Sequence, residues 1–196
     1  MQDIFFTADT HFGHTNVIKH CDRTWTDIKE HDEGLIKLWN EQVPKKALVY
    51  HLGDFAMFGK QEDGTPRMKL YRRTRMRLNG KVILVSGNHD QMDQSTLSCF
   101  SEVHKLLDRK INQYHFTLCH YPLLSWNRSV HNHKHPNDLK KCSIMLHGHC
   151  HNRLFRDNPY RIDVGVDGNN LHLWHFDDII KNIEEFKLTY TSERIN

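Results

Sequence analysis

The sequence predicts an α/β protein in which two sheets pack face to face with helices on the outside. Three observations lead there. Apolar runs alternate with helix-like segments in the first hundred residues, short strands follow one another closely after about residue 103, and no apolar run approaches the length of a membrane span. At 196 residues, 38% hydrophobic and 26% charged, the chain suits a single domain over 1–196 with its own core.

The elements follow in order. "DIFFTADTHFGH" opens with a short apolar strand and breaks into a polar turn at Thr10–Gly13. "TDIKEHDEGLIKLWNEQV" sets Ile28, Leu35, Leu38 and Trp39 near helical spacing. Asp27 with Glu30 three residues later has the capping-box pattern, and Pro44 lies just past the end. "ALVYHLGD" is a second strand ending in Gly53-Asp54. The basic stretch "PRMKLYRRTRMRLNG", 66–80, reads as a helix stopped by Asn79-Gly80, with Met68, Tyr71 and Met76 packing inward. It feeds "KVILVSGNHD", a β-branched strand of the buried parallel type. "VHKLL", "RKINQ", "HFTLCHYP", "SIMLHGHCH", "RLFRD", "YRIDVGV" and "LHLWHF" read as hairpin-like strands, and Asp177 or Asp178 opens a last helix. "SWNRSVHNHKHPNDLKKC" lacks apolar periodicity and is expected as a loop at the rim of a cleft, without a third metal at His131, His133 and His135.

Composition narrows the chemistry. The five cysteines are odd in number and contain no CxxC, so a disulfide framework and a thiolate zinc site are both disfavoured. The start "MQDIFFTADT" lacks the basic and long apolar regions of a signal peptide, which leads to the expectation of a cytoplasmic protein with no membrane partner. A net charge of +3 does not by itself call for nucleic acid. Histidine, at 17 residues spread from His11 to His175, is the outlier, and imidazole suits transition metals.

Five apolar runs each end in a metal-capable cluster. Asp9 and His11 follow the first, Asp54 the second, Asn88-His89-Asp90 the third, His120 the fourth, and His147, His149 and His151 the fifth. Ligands of open α/β sheets collect at the carboxyl ends of strands. Side chains two apart in extended chain face the same way, so Asp9/His11 and His149/His151 can each grip one centre. Gly53, Gly87 and Gly148 fit places where backbone turns sharply beside a ligand. His147 is expected to face a different layer from His149, and His51 is as well explained by the core as by the site.

The constellation "ADTHFGH … HLGD … SGNHD … CHYP … HGHCH" resembles the calcineurin-like metallophosphoesterase superfamily, small single-domain bacterial and phage members above all. That resemblance implies a four-layer αββα sandwich and two divalent metal ions. Carried over by position, Asp9, His11 and His151 would hold the first metal, and Asn88, His120 and His149 the second, with Asp54 bridging. His89 matches the catalytic histidine. Asp90 is expected either to orient His89 or to cap its turn, and His14 either to meet a substrate phosphate or to open a helix.

A mixed nitrogen–oxygen ligand set favours Mn, Fe, Zn, Ni or Co over Mg or Ca, with Mn²⁺ the first expectation. Two such metals would bind phosphoryl oxygens and acidify a bound water for attack on phosphorus, and His89 would protonate the leaving oxygen. "GDFAMFG" and "GNHD" lack the Asp-Arg-Gly and Glu of the protein-phosphatase branch. Phosphodiesters of nucleotide or nucleic-acid origin are therefore the expected substrates, ahead of phosphomonoesters. A non-catalytic scaffold, like the retromer subunit of the same superfamily, and a nucleic-acid-binding module using Arg67, Lys69, Arg72, Arg73, Arg75, Arg77 and Lys81 are the rival readings.

Overall fold

The computed structural model describes residues 2–60, 64–90 and 94–193. Chain order gives β1 (Ile4–Thr7), α1 (Thr15–His20), α2 (Ile28–Gln42), β2 (Leu48–His51), α3 (Arg67–Arg77), β3 (Lys81–Val85), α4 (Gln94–Leu97) and β4 (Glu102–His104). There follow β5 (Leu106–Ile111), β6 (Tyr114–Cys119), α5 (Val130–Lys134), β7 (Ser143–His147), β8 (Arg161–Asp163), β9 (Trp174–His175) and α6 (Phe176–Glu193). One sheet has the order β4-β3-β2-β1-β9 and the other β5-β6-β7-β8.

Two sheets flanked by helices is the expected layering, and the burial explains it. The residues of β1, β2 and β3 are apolar on both faces, as a strand covered on both sides requires. Phe6, Tyr50 and Ile83 turn towards Phe116, Leu118 and Leu146 of the second sheet, with Ile179 and Ile183 of α6 in the same cluster. Phe5, Val49, Val82 and Leu84 turn the other way, against Leu35, Ile36 and Trp39 of α2 and Tyr71 of α3. Among the described residues no helix is long and apolar enough to cross a membrane.

Several local expectations change. The second sheet is not a run of hairpins: only β5–β6 is antiparallel, while β6–β7 and β7–β8 pair in parallel. Residues of "RLFRD" form no strand. The segment 125–142 is not a bare rim loop but packs down on β7. Trp126 and Leu139 are buried, and Asn132 bonds both the amide and the carbonyl of Ser143 at 2.7 and 2.9 Å.

The capping residue of α2 is Asp27, as the pattern implies, but Glu30 reaches back to Thr26 and not to Asp27. In α3, Met76 is 74% exposed and Arg75 lies inward in its place, donating to the carbonyls of Leu78 and Gly80 at 2.9 and 2.6 Å. A guanidinium can close the carbonyl end of its own helix, which a thioether cannot.

Candidate metal centre

The loops after β1, β2, β3, β6 and β7 meet at one end of the two sheets. The first two zip together beyond their strands, Asp9 N–H donating to Gly53 O, His11 N–H to Asp54 O and Phe12 N–H to Phe55 O, all at 3.0 Å. The loop after β7 joins through the amide of His149, which donates to the Asp9 carboxylate at 2.9 Å. Asp9, His11, Asp54, His149 and His151 all have left-handed backbone, with φ between 47° and 68°. Non-glycine residues rarely adopt it, and such strain concentrates where a chain is built around a site.

The convergence is close. Donor atoms of Asp9, His11 and His151 lie within 4.8 Å of one another, as do those of Asp54, His120 and His149. Asp54 stands between the two groups, its Oδ2 being 3.6 Å from His11 Nε2, 3.4 Å from His120 Nε2 and 4.0 Å from His89 Nε2. Asn88 Oδ1 is 3.1 Å from His120 Nε2. A Cβ on Gly53 would stand 2.5 Å from Gly87 N, and one on Gly87 only 2.3 Å from Asp54 Oδ1, so glycine alone permits this approach.

The donors fit a divalent cation on chemical grounds. His11 Nε2 is buried without a hydrogen-bond partner, although it points at a carboxylate. Burial drives the His11 pKa down to about 2, so its ring is neutral and its lone pair free. His120 Nδ1 meets the Leu52 carbonyl at 2.8 Å and must carry a hydrogen to do so, which leaves Nε2 facing the oxygens of Asp54 and Asn88. Nitrogen and oxygen lone pairs directed at one point repel unless a proton or a metal lies between them.

The carboxylates show the same tension. Burial lifts Asp9 to about 7. Burial acts in that direction on Asp54 as well, but His120 outweighs it and holds Asp54 well below the usual carboxylate range.

The surrounding histidines sort by contact. His89 donates its amide to Asp54 Oδ1 at 2.8 Å and its ring stands edge-on to His11, centroids 5.4 Å apart. His14 is at once the N-terminal cap position of α1 and a neighbour of His11, with Nδ1 atoms 3.2 Å apart. His147 is buried and its ring bonds the Gly148 carbonyl, and His51 is a core residue bonded to Thr10 and stacked near Trp39. His131 and His135 stack along α5, away from both clusters.

Of the two expectations for Asp90, its bonds are those of a turn-fastening residue. Its carboxylate accepts the amides of Asp54, Phe55 and Gly87 at 2.7, 2.9 and 2.8 Å, tying the loop after β2 to the loop after β3.

Sequence reasoning missed a ring of supporting residues. Tyr121 packs its ring against His120 and His149 at 5.1 and 4.8 Å. Asp163 accepts the amides of Asn152 and Gly165. Asp167 accepts from His151 Nδ1 at 2.6 Å and pairs with Arg23. Nothing in their spacing marks them; "CDR" and "VDG" carry no periodicity that separates them from surface turns.

A doubly covered α/β frame with two adjoining carboxylate–imidazole clusters at its strand ends defines a class, the metal-dependent hydrolases. Residues 3–173 match the model of the calcineurin-like phosphoesterase superfamily domain, and the chain belongs to that superfamily, whose chemistry is metal-dependent phosphoester hydrolysis.

Its relatives include the uncharacterized protein MJ1445 of Methanocaldococcus jannaschii, 31% identical over 97% of each chain. Another is the gene 66 protein of Mycobacterium phage D29, 29% identical over 89% of this chain and 90% of that one. Among solved structures, the protein of unknown function AQ665 from Aquifex aeolicus shares the fold, with a TM-score of 0.65 and 24% identity over 92% of this chain and 99% of that one.

Proposed function

We propose that the chain hydrolyses phosphodiesters of nucleotide or nucleic-acid origin with two divalent transition-metal ions, Mn²⁺ foremost. The observation that carries this reading is the position of Asp54, one carboxylate within 4.0 Å of imidazole nitrogens from three other loops. Asp9, His11 and His151 would hold one ion and Asn88, His120 and His149 the other, Asp54 serving both. Two ions so held neutralise phosphoryl oxygens and lower the pKa of bound water.

The chain's own groups do the rest. His89 is partly exposed at the edge of the clusters, where it can deliver a proton to the departing oxygen. His14, beside it with rings 5.9 Å apart, is suited to a phosphoryl oxygen. Both line a cleft of about 850 Å³ that continues past Phe58 and Tyr71 to Lys29 and Arg67. A cleft on the side of the proton donor accommodates a bulky, anionic and partly apolar leaving group, which a diester supplies and a small monoester does not. Met57 and Phe58 follow Asp54 and Phe55 where a protein phosphatase would carry its phosphate-binding arginine.

The nucleic-acid footprint along 67–81 is narrower than its charge implies. Arg75 is committed to its own helix end and Arg77 to Glu33, at 2.7 and 2.5 Å.

The test is hydrolysis of bis-p-nitrophenyl phosphate against p-nitrophenyl phosphate with Mn²⁺, for the natural chain and His89→Ala. The diester is expected to be preferred. His89→Ala should keep its metal and lose little rate on these p-nitrophenyl esters, but up to roughly 10²–10⁴ on diesters with poor alkoxide leaving groups. Preference for the monoester overturns the substrate class, and loss of metal from His89→Ala overturns the role of His89.

A further inference from the structure

Arg23 has no exposed side-chain surface and spends all five of its N–H donors. Nε and Nη2 grip the two oxygens of Asp167 at 2.8 and 2.9 Å. Nη2 also reaches the Asp9 carbonyl at 2.7 Å, while Nη1 reaches the Thr10 carbonyl at 2.9 Å and His31 Nε2 at 2.8 Å. A guanidinium can only donate, so His31 Nε2 accepts and His31 Nδ1 donates to Asp32 Oδ1, 2.8 Å away. Asp32 in turn accepts the amide of Gly13 at 3.0 Å. One buried cation thus fastens both arms of the loop that carries Asp9, His11 and His14.

The same cation reaches the end of the chain. Asp167 Oδ2, paired with Arg23, is 2.6 Å from His151 Nδ1. A hydrogen held on Nδ1 by a carboxylate fixes the ring and leaves Nε2 for the cluster. Cys21, His151 and Asp167 also have donor atoms within 4.8 Å. A further cation there would sit beside the guanidinium that already satisfies both oxygens of Asp167, so this group reads as a hydrogen-bonded relay.

We infer that Arg23 and Asp167 are positioning residues for one of the two metal sites, the Asp9–His11–His151 site, and leave the other independent of them. The inference rests on the metal assignment under the proposed function. Arg23 acts from the main chain, holding Asp9 and Thr10 beside left-handed residues at φ 59° and 51°, and Asp167 acts from the side chain of His151. On the Asp54–Asn88–His120–His149 side the supports are different groups, the Leu52 carbonyl and the amides bound by Asp90.

The test titrates metal-free protein with Mn²⁺, counting sites by calorimetry and separating lone from paired ions by electron paramagnetic resonance. The natural chain should bind two. Asp167→Asn, which changes a single atom, should bind one ion normally and the other about 10–100-fold more weakly. Arg23→Lys keeps the charge but not the planar fork, and should act in the same direction. His151→Ala marks the signature of losing this site, and His120→Ala that of losing the other.

A merely structural role would lower thermal stability without choosing between sites, so equal weakening of both, or of neither, in Asp167→Asn overturns the inference. If Arg23→Lys loses its far-ultraviolet circular dichroism, Asp167→Asn decides alone. A natural chain that binds no Mn²⁺ overturns the proposed function together with this assignment, whereas two normal sites in Asp167→Asn overturn only the assignment.

Discussion

On the Asp9–His11–His151 side, the supporting groups are charged side chains from distant positions, Arg23, Asp167 and Asp32, linked by hydrogen bonds of 2.6–3.1 Å. On the Asp54–Asn88–His120–His149 side they are backbone groups, the Leu52 carbonyl under His120 and three amides gathered by Asp90. A network of ionised side chains sets the direction of a ligand but can be dismantled one residue at a time. Backbone support comes with the strand and turn themselves, and among these groups Asp90 is the side chain whose loss would loosen it. The first side is therefore the tunable one, and the second is part of the fold.

Asp54 is where the comparison should break altogether. It belongs to both sides, so Asp54→Asn is expected to weaken both Mn²⁺ ions together. Activity should fall by about 10⁴-fold, or roughly 5–6 kcal/mol of barrier. Two tight ions with full activity in that variant would end the bridging role.

Asp90→Ala should sharpen the difference in stability. It leaves three amides without their acceptor and should cost on the order of 3 kcal/mol, read as a shift in the denaturant midpoint of the metal-free protein. Burial lifts Asp90 to about 6 against the pull of those amides, above its unfolded value, so its contribution should be largest at low pH and decline as pH rises through about 6. A midpoint unchanged at about pH 5, below the raised Asp90 value, would show that the turn holds without it.

The smallest effect expected is a change in the pH dependence of Mn²⁺ binding on the first side. Asp9, lifted by burial, keeps its proton up to about 7. His151 keeps its own to about 10, because the Asp167 bond outweighs burial. An incoming cation displaces both protons, so Mn²⁺ affinity there should climb with pH from about 6 to about 10. Asp167→Asn lowers the His151 pKa and should flatten the upper part of that climb. An identical slope in the variant and the natural chain would remove Asp167 from the linkage.

Much of the centre was legible because it is written locally. A strand must end in a turn, and a turn that carries Asp, His or Asn announces itself beside an apolar run; this is why Asp9, His11, Asp54, Asn88, His89, His120, His149 and His151 all stand out. The capping aspartate Asp27 and the helix before Pro44 are local for the same reason. Pairing direction in the second sheet is not legible in this way, because it depends on where a strand lands and not on its own residues. β6, β7 and β8 are short enough to be read as a meander, and they pair in parallel because 120–142 carries the chain back between β6 and β7 and 148–160 does so between β7 and β8.

The inward face of α3 is not legible for a related reason. Apolar character points to Met76, yet the buried position is Arg75, whose fork reaches the carbonyls of Leu78 and Gly80.

The sequence alone determined which side chains could bind a metal and that they lie at strand ends, because apolar periodicity and turn chemistry are properties of a few adjacent residues. The tertiary structure decided what holds them there. Arg23 and Asp167 are 144 positions apart, and a buried ion pair gains its meaning only once packing has removed the water around it.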